Sequence, residues 1–452
     1  MNITIVIPQY KPKGLFYELP IGLLYIASSL KKKGHEVEII NLNDSDLVVN
    51  SECVITGGLS VHYNQIKGIL EEVRRQKPNA KIILGGGLVS SMPELIAQQL
   101  KPDLAVVGEG EGVDLTQTGI IQMPAIEDLD SLPFPDYGGI NVNSYLDRQL
   151  CGDEYYLYPC DKPRALPIIS SRSCPFNCSF CFHPLGKKYR QRSLDNVFKE
   201  IEWLIEKYQI NILCVLDELI SSFPERLAQF CERVKKYNLK WMTQIRVDSV
   251  DEDTVRMMRD SGCFSVSIGI EHINQEVLDG YNKKTTKEQI ETALNYLYNS
   301  RIGIQGNILI GGPNETDETM YEAINWRNKN SKYMINLTPV IAYPGTGLFK
   351  NGIERGLIDP LWFIEHNCPF INFSTAHLYL PFSYKRGEVI SDEVTSHDSY
   401  RGDLKQLIAK CPHCQEISIY QGIYWGATGA EFTNGHSYRI GCKFCNQRMD
   451  LS

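Results

Sequence analysis

The chain has 452 residues, with 46 Lys and Arg against 54 Asp and Glu, 43% hydrophobic residues and 22% charged residues. That length exceeds one ordinary core and predicts two or three globular domains. A net charge of −8 excludes a chain-wide basic field for nucleic acid or anionic membrane, and no apolar run approaches the ~20 residues that span a bilayer. The opening MNITIVIPQY lacks the basic and long apolar regions of a signal peptide and reads as a first strand. A cytoplasmic setting is therefore expected, where clustered cysteines mean metal or catalysis rather than disulfides.

Residues 1 to about 125 alternate strand and helix signals. Strands are predicted at Ile3–Ile7, Val37–Asn41, Cys53–Thr56, Lys81–Leu84 and Leu104–Val107, and helices at Ile21–Lys33, Gln65–Gln76 and Pro93–Leu100. Apolar strands alternating with amphipathic helices argue for a parallel, doubly wound sheet. Glycines follow three strands in turn: Gly57-Gly58, Gly85-Gly86-Gly87, and Gly108-Glu109-Gly110. Each set alone reads equally well as a tight βα turn. Their recurrence at strand ends, where open α/β sheets bind ligands, argues for a large ligand approaching the backbone.

Residues 126–165 are poorer in pattern, hold Leu132-Pro133-Phe134-Pro135, and read as a linker. A second strand–helix series then runs from 166 to about 350. Its predicted strands are Leu166–Ser170, Ile212–Leu216, Trp241–Ile245, Ser265–Ile270, Ile304–Ile310 and Met334–Ile341. Helical patterns at Asn196–Tyr208, Pro224–Tyr237, Asp251–Asp260, Lys287–Asn299 and Glu318–Asn330 separate them. Six such units suit a partial (β/α)6 barrel, whose chemistry sits at the C-terminal ends of the strands. The polar residues there are Asp217 and Glu218, Arg246 and Asp248, Glu271, and the turn containing Gly311 and Pro313. Individually each is also an ordinary salt-bridge or turn residue; their placement at successive strand ends is the stronger argument.

Between the first and second of these strands lies Cys174-Pro175-Phe176-Asn177-Cys178-Ser179-Phe180-Cys181. Three thiolates in eight residues make no regular disulfide framework and fall short of the four ligands of a closed zinc site. They suit three irons of a cubane cluster, leaving the fourth iron open to a small molecule. Four more cysteines pair near the end of the chain, Cys411 with Cys414 and Cys442 with Cys445, flanking strand-like segments in a ribbon-like domain over 406–452. Four thiolates suit tetrahedral Zn²⁺, with an auxiliary iron–sulfur centre or metal-free thiols as alternatives. The intervening stretch, 351–405, is aromatic and irregular; Trp362, Phe363, Phe370, Phe373, Tyr379 and Phe382 read as a hydrophobic cover or as a clasp for an apolar substrate.

CPFNCSFC after LPIISSR, with the LDE strand end, TQIRVDSV, SVSIGIEH, NILIGGPNET and AYPGTGLF following in order, resembles the radical S-adenosylmethionine (radical SAM) superfamily over residues 166–350. The resemblance implies that Cys174, Cys178 and Cys181 hold a [4Fe–4S] cluster and that S-adenosylmethionine chelates the open iron. It places Asp217 and Glu218 toward the methionine amino group, Arg246, Asp248 and Glu271 toward the carboxylate or ribose, and Gly311 and Pro313 beside the adenine. LPIGLLYIASSLKKKGHEVEIINLN, KIILGGGLVSSMPE and LAVVGEGEG resemble the Rossmann-like cobalamin-binding domain that precedes the barrel in a large subgroup of these enzymes. Here the sequence departs from cobalamin proteins with a cobalt-ligating histidine: IPQYKPKG stands where D-x-H-x-x-G would be. The corrin is then expected to be held by backbone and packing at Gly57, Gly58, Gly85–Gly87, Gly108, Glu109 and Gly110, with His35 and His62 as solvated or packed histidines.

The resemblance implies radical methylation of an unactivated carbon, or of phosphorus, in a small-molecule or peptide substrate. A deoxyadenosyl radical removes hydrogen, and cobalamin, recharged by a second S-adenosylmethionine, delivers the methyl group. An electron donor such as flavodoxin or ferredoxin is implied as partner. Ring formation or oxidation by the same pair of domains, modification of RNA or a ribosomal component through the ribbon, and a non-catalytic cobalamin sensor are the alternative readings.

Overall fold

The computed structural model describes residues 1–152, 157–376, 386–398, 401–424, 438–442, 445 and 448–451. The chain opens with β1 (Asn2–Ile7), a run of largely β-branched residues buried from Ile3 onward, as suits a strand covered on both faces. α1 (Ile21–Lys32) buries Leu24, Ala27 and Leu30 and sets Lys31 and Lys32 at its negative C-terminal end. β2 (Glu36–Asn41), β3 (Cys53–Gly57), α2 (Tyr63–Gln76), β4 (Lys81–Gly85), α3 (Gly87–Ser91), α4 (Pro93–Leu100), β5 (Leu104–Val107) and β6 (Gly119–Gln122) follow. The strands form one parallel sheet in the order β2-β1-β3-β4-β5-β6. Strand order reverses between β1 and β3, which opens a crevice beyond their C-terminal ends. β6 carries no apolar run and is mostly exposed at the sheet edge, which is why its sequence gives no strand signal.

Residues 126–165, expected as a linker, are folded where they are described. The Asp136 amide donates to the Leu24 carbonyl at 3.0 Å, Lys31 pairs with Asp136 at 2.6 Å, and Leu129 and Tyr137 are buried. α5 (Val142–Asp147) follows. Proline-rich turns hide this packing from any periodicity analysis.

The second series comprises β7 (Ala165–Ile168), β8 (Ser171–Arg172), β9 (Arg190–Gln191), α6 (Leu194–Tyr208), β10 (Ile212–Val215), α7 (Pro224–Val234), β11 (Lys240–Arg246) and α8 (Glu252–Asp260). It continues with β12 (Cys263–Glu271), α9 (Gln275–Gly280), α10 (Lys287–Asn299), β13 (Gly303–Ile310), α11 (Asp317–Lys329) and β14 (Asn336–Pro339). β7, β10, β11, β12, β13 and β14 pair in sequence order, all parallel, the topology of a partial (β/α)6 barrel. Side-chain caps start α8 and α10, where Asp251 accepts from the Thr254 amide and Thr286 forms a reciprocal box with Gln289.

After α12 (Gly347–Glu354) and α13 (Pro360–Glu365) come β15 (Arg386–Asp398), β16 (Arg401–Lys410), β17 (Ile417–Tyr424), β18 (Tyr438–Gly441) and β19 (Arg448–Leu451). These form a five-stranded sheet in the order β17-β16-β15-β19-β18. The expected domain boundary at 406 therefore cuts through β16, and the cover expected over 351–405 consists of two short helices followed by the first strands of this sheet. Of the aromatics read as a clasp, Phe363 and Phe373 are buried, while Trp362 is exposed and stacks on His366. Tyr379 and Phe382 lie outside the described residues.

The chain packs as two compact units. One comprises Met1–Tyr145, Ser171–Glu200 and Val340–Ile371; the other Leu146–Ser170, Ile201–Pro339 and Asn372–Ser452. The cysteine loop, expected within a 166–350 barrel domain, belongs to the unit of the first sheet. In the second unit, Ile268 is 3% exposed on the central strand β12. Ile268→Ala should cost about 2–5 kcal/mol, read as a lower denaturant midpoint for that unit.

Candidate functional site

The cysteine loop, residues 173–189, is closed at its base by the antiparallel pair β8–β9, with Ser171 opposite Gln191 and Arg172 opposite Arg190. Inside it the Cys181 amide donates to the Cys178 carbonyl at 3.1 Å, and the Ser173 hydroxyl donates to the Leu185 carbonyl at 3.1 Å. The Leu348 amide holds the loop from outside by donating to the Ser179 carbonyl at 2.8 Å. Cys178 is buried and Cys174 and Cys181 are half-buried. A short loop carrying three thiols, with Cys178 and Cys181 joined by one backbone turn and no fourth thiol in it, suits a cluster with one open iron.

Four buried charges fasten the loop base to the end of β5. Arg190 donates to Glu109 Oε2 at 2.9 Å and sets a second nitrogen 2.6 Å from Oε1, and the Ile126 amide donates to Oε2 at 2.7 Å. Arg172 bonds Glu111 at 2.6 Å, lies 3.4 Å from Glu109, and stacks its guanidinium over the Tyr25 ring. Burial opposes the Arg172 charge, but Glu111 and Glu109 more than offset it and its pKa is raised. A second buried pair, Arg192 with Glu200, lies just beyond β9. Glu109, expected beside the corrin, is 3% exposed, and its contacts with Arg190 and the Ile126 amide anchor the cysteine loop.

The strand-end glycines of the first sheet pack backbone against backbone. A Cβ on Gly57 would lie 2.8 Å from the Gly85 oxygen, and one on Gly86, at φ +82°, 2.9 Å from the Gly58 nitrogen and oxygen. Gly87 faces the Phe182 ring of the cysteine loop, 3.0 Å from where its Cβ would sit. Gly108 and Gly110 are closed in the same way by the Met123 carbonyl and the Ile26 side chain. The ends of β3 and β4 thus present peptide backbone to the crevice, with the cysteine loop alongside. His62, at the end of β3, accepts the Leu59 amide on Nδ1 at 3.2 Å and packs on Tyr10. This commits its Nδ1 to the fold, and a corrin held by backbone without a cobalt bond from that nitrogen fits these residues.

In the second unit the strand ends carry a different constellation. Asp217, fully buried after β10, accepts the Ser170 amide at 2.6 Å and the Ser170 hydroxyl at 2.5 Å. These bonds anchor the chain end of β7; Glu218, beside it, is half-buried. Arg246 grips Asp248 through two nitrogens at 2.9 Å and donates to the Lys283 carbonyl at 2.9 Å. Glu271, at φ +62°, pairs with Lys283 at 2.7 Å. Gly269 makes room for this pair, since a Cβ there would lie 2.3 Å from Lys283 Nζ. Arg246, Asp248 and Glu271 are thus brought together, with Lys283 as the member missing from the sequence reading.

Gly311 donates its amide to Glu315, whose other oxygen faces His272 Nε2 at 3.3 Å. His272 Nδ1 accepts the Asn274 amide at 3.0 Å, which fixes the ring beside Glu315. The Tyr281 phenol fills the space a Cβ on Gly312 would need, and the Phe373 amide donates to the Gly311 carbonyl at 2.7 Å. The Gly311–Pro313 turn is therefore fixed from three sides. Elsewhere in this unit the sulfurs of Cys411, Cys414, Cys442 and Cys445 all lie within 4.8 Å of one another, a donor set for a metal ion.

A doubly wound sheet with a crevice at its switch point and a sequentially ordered parallel sheet with polar strand ends define an α/β enzyme built for more than one cofactor. The Radical SAM superfamily model matches residues 168–327, and the B12 binding domain model matches residues 15–115. The B12 binding domain match thus lies ahead of the Radical SAM match along the chain. The chain is similar to an uncharacterized methyltransferase of Pyrococcus horikoshii, 26% identical over 84% of this chain and 91% of that one. It is also 26% identical to the bacteriochlorophyllide d C-8(2)-methyltransferase of Chlorobaculum tepidum, over 76% and 78% of the two chains. The anaerobic magnesium-protoporphyrin IX monomethyl ester cyclase of Rubrivivax gelatinosus is 26% identical over 77% of this chain and 70% of its own. Among solved structures, the radical S-adenosylmethionine methyltransferase TsrM from Kitasatospora setae, with cobalamin and a [4Fe–4S] cluster bound, shares the fold at TM-score 0.61 and 17% identity, covering 78% and 75%. The family's cofactors are a [4Fe–4S] cluster and S-adenosylmethionine, and the B12-binding domain adds cobalamin.

Glu109→Ala leaves two buried guanidinium groups short of a partner and should cost about 3–5 kcal/mol, seen as a lower thermal midpoint and poorer iron retention after anaerobic reconstitution. Burial holds His62 below the ordinary histidine value. As pH falls through about 6.5 the unfolded chain therefore takes up this proton first, and stability is lost below that pH. His62→Asn, which keeps an acceptor for the Leu59 amide, should flatten the fall in thermal midpoint between about pH 6.5 and 5.

Proposed function

We propose that this chain is a cobalamin-dependent radical SAM methyltransferase acting on an unactivated carbon, or phosphorus, of a small-molecule or peptide substrate, with Cys174, Cys178 and Cys181 as the cluster ligands. The observation that carries this reading is the fastening of the cysteine loop, within one compact unit, to the strand ends of the B12-binding sheet through Phe182 at Gly87 and Arg190 at Glu109. Radical generation and methyl delivery need two cofactors close together, and that juxtaposition supports the reading. When bound, cluster and S-adenosylmethionine supply a hydrogen-abstracting radical and cobalamin supplies the methyl carrier.

The chain's own residues bind and position. Three thiolates hold the cluster. Arg246, held by Asp248, and Glu271, held by Lys283, are preorganised to meet the carboxylate and ribose of S-adenosylmethionine, and Asp217 and Glu218 face its amino group. The fixed Gly311–Pro313 turn shapes the adenine side. Glu109 acts one step back, as a positioning residue. A low-potential donor of flavodoxin or ferredoxin type and a cytoplasmic setting accompany this reading. No helix among the described residues is long and apolar enough to cross a membrane.

The similarity to the anaerobic cyclase favours one second reading, radical ring closure, and a product test separates the two. Anaerobic protein made with cobalamin supplied and reduced by dithionite should convert S-adenosylmethionine to 5′-deoxyadenosine and methionine. A methyltransferase also yields S-adenosylhomocysteine in step with bound cobalamin; a cyclase yields none. Cys178→Ala should lose the cluster iron, about four atoms per chain, and all 5′-deoxyadenosine formation. Cleavage surviving in that variant would overturn the assignment.

A further inference from the structure

The function proposed above makes no use of the four C-terminal cysteines. Cys411 and Cys414 flank Pro412-His413 between β16 and β17, and Cys442 and Cys445 follow β18. Cys411 and Cys442 are fully buried, and Cys445 is 5% exposed. The Cys411 and Cys445 sulfurs are 3.7 Å apart, those of Cys414 and Cys442 3.6 Å, and no two of the four exceed 4.8 Å. Disulfides need about 2.05 Å, so these are not oxidised pairs. Four sulfurs around one tetrahedral ion at about 2.3 Å would stand about 3.8 Å from one another. An iron–sulfur cluster divides its thiolates among several irons and spreads them over a wider frame than this. The spacing is that of one ion.

Two further contacts point to a formed knuckle. The His413 amide donates to Cys411 Sγ at 3.4 Å, and the Cys411 amide donates to the Glu416 carbonyl at 2.9 Å. Amide-to-sulfur bonds of this kind orient thiolate ligands and spread their charge. The His413 ring then turns outward to α10, where Nδ1 lies 3.2 Å from the Tyr298 hydroxyl and the two rings meet edge to face at 5.8 Å. Lys332 covers the same tyrosine, its Nζ 5.1 Å from the ring centre. The knuckle is seated on a barrel helix within one unit.

We propose that Cys411, Cys414, Cys442 and Cys445 bind a single structural Zn²⁺, and that the ion clamps the C-terminal sheet to barrel helix α10 through His413 and Tyr298. Four protein thiolates fill a tetrahedral shell and leave no open position for substrate or water, so the site is structural. Ordering the Cys411–Cys414 turn fixes His413, and His413 fixes the sheet on the barrel. This inference is independent of the methyltransferase reading, since it concerns neither the cysteine loop nor cobalamin.

The test uses the full chain. Metal analysis should find about one zinc per chain, unchanged in Cys178→Ala and lost in the Cys442→Ser/Cys445→Ser double variant. Cobalt(II) exchanged into the site should give the intense visible bands and thiolate charge-transfer absorption of tetrahedral tetrathiolate cobalt. Tyr298→Phe should keep the zinc but release it to a chromophoric chelator several-fold faster and raise amide exchange over residues 401–424. Iron rather than zinc lost with Cys442 and Cys445, or a chain without zinc, would overturn the metal assignment. Release and exchange rates unchanged in Tyr298→Phe would overturn the clamp. If the double variant fails to accumulate, the cobalt spectrum of the wild-type chain decides the ligand set.

Discussion

The four buried charges Glu109, Glu111, Arg172 and Arg190 are the constraint on which the first unit depends. Removing each ion from water costs several kcal/mol, which mutual attraction repays only if every member finds its partners. Here they do. Arg190 sets a nitrogen against each oxygen of Glu109, Arg172 takes Glu111, and the Ile126 amide fills a remaining site on Glu109. Such a network contributes little net stability, but it penalises any other arrangement severely. The base of the cysteine loop can therefore sit in one place only relative to β5, and Phe182, farther round the loop, meets the end of β4.

The second unit solves the same problem with smaller parts. Polar groups at the ends of β10 to β13 are paired before any ligand arrives: Asp217 with Ser170, Arg246 with Asp248, Glu271 with Lys283, Glu315 with His272. Glu271 pays for its place with a left-handed backbone, the kind of local strain that persists where surrounding contacts over-determine it. Gly269 gives the Lys283 ammonium its space, and Gly312 gives the Tyr281 phenol its space. Sites whose side chains are already locked lose less freedom on binding and hold reacting atoms more closely.

Much of this was legible in the sequence because it is local. The strands of both sheets, the parallel α/β class and the triple-cysteine loop rest on patterns spanning a few residues. What escaped is long-range or hidden by polarity. Nothing near Glu109 and Glu111 announces arginines some sixty and eighty positions away, so the buried charge network has no local signal. The burial of Asp217 against Ser170 is likewise a product of the fold alone. The glycines after β3 and β4 were rightly placed at strand ends, but Gly57 and Gly86 serve the close approach of two turns as much as any ligand. β15 and the first half of β16 are charged strands of a small sheet, and their alternation is too weak to mark the start of the C-terminal domain before the first cysteine pair.

Two cysteine sets in one chain illustrate how ligand count and topology divide the chemistry. Cys174, Cys178 and Cys181 come from a single loop, closed by two residue pairs and held from outside. A loop of that size supplies three ligands and leaves an opening, and an opening is what a reactive site needs. Cys411 and Cys414 lie between β16 and β17 and Cys442 and Cys445 follow β18, and the sheet brings their four sulfurs together, which on the proposal above would close the shell. Closure rules out chemistry at the ion and makes metal binding a folding event. On the functions proposed for the two sets, the same thiolate would serve reaction at one place and architecture at the other, and the difference would lie in whether the backbone brings a fourth sulfur to the ion.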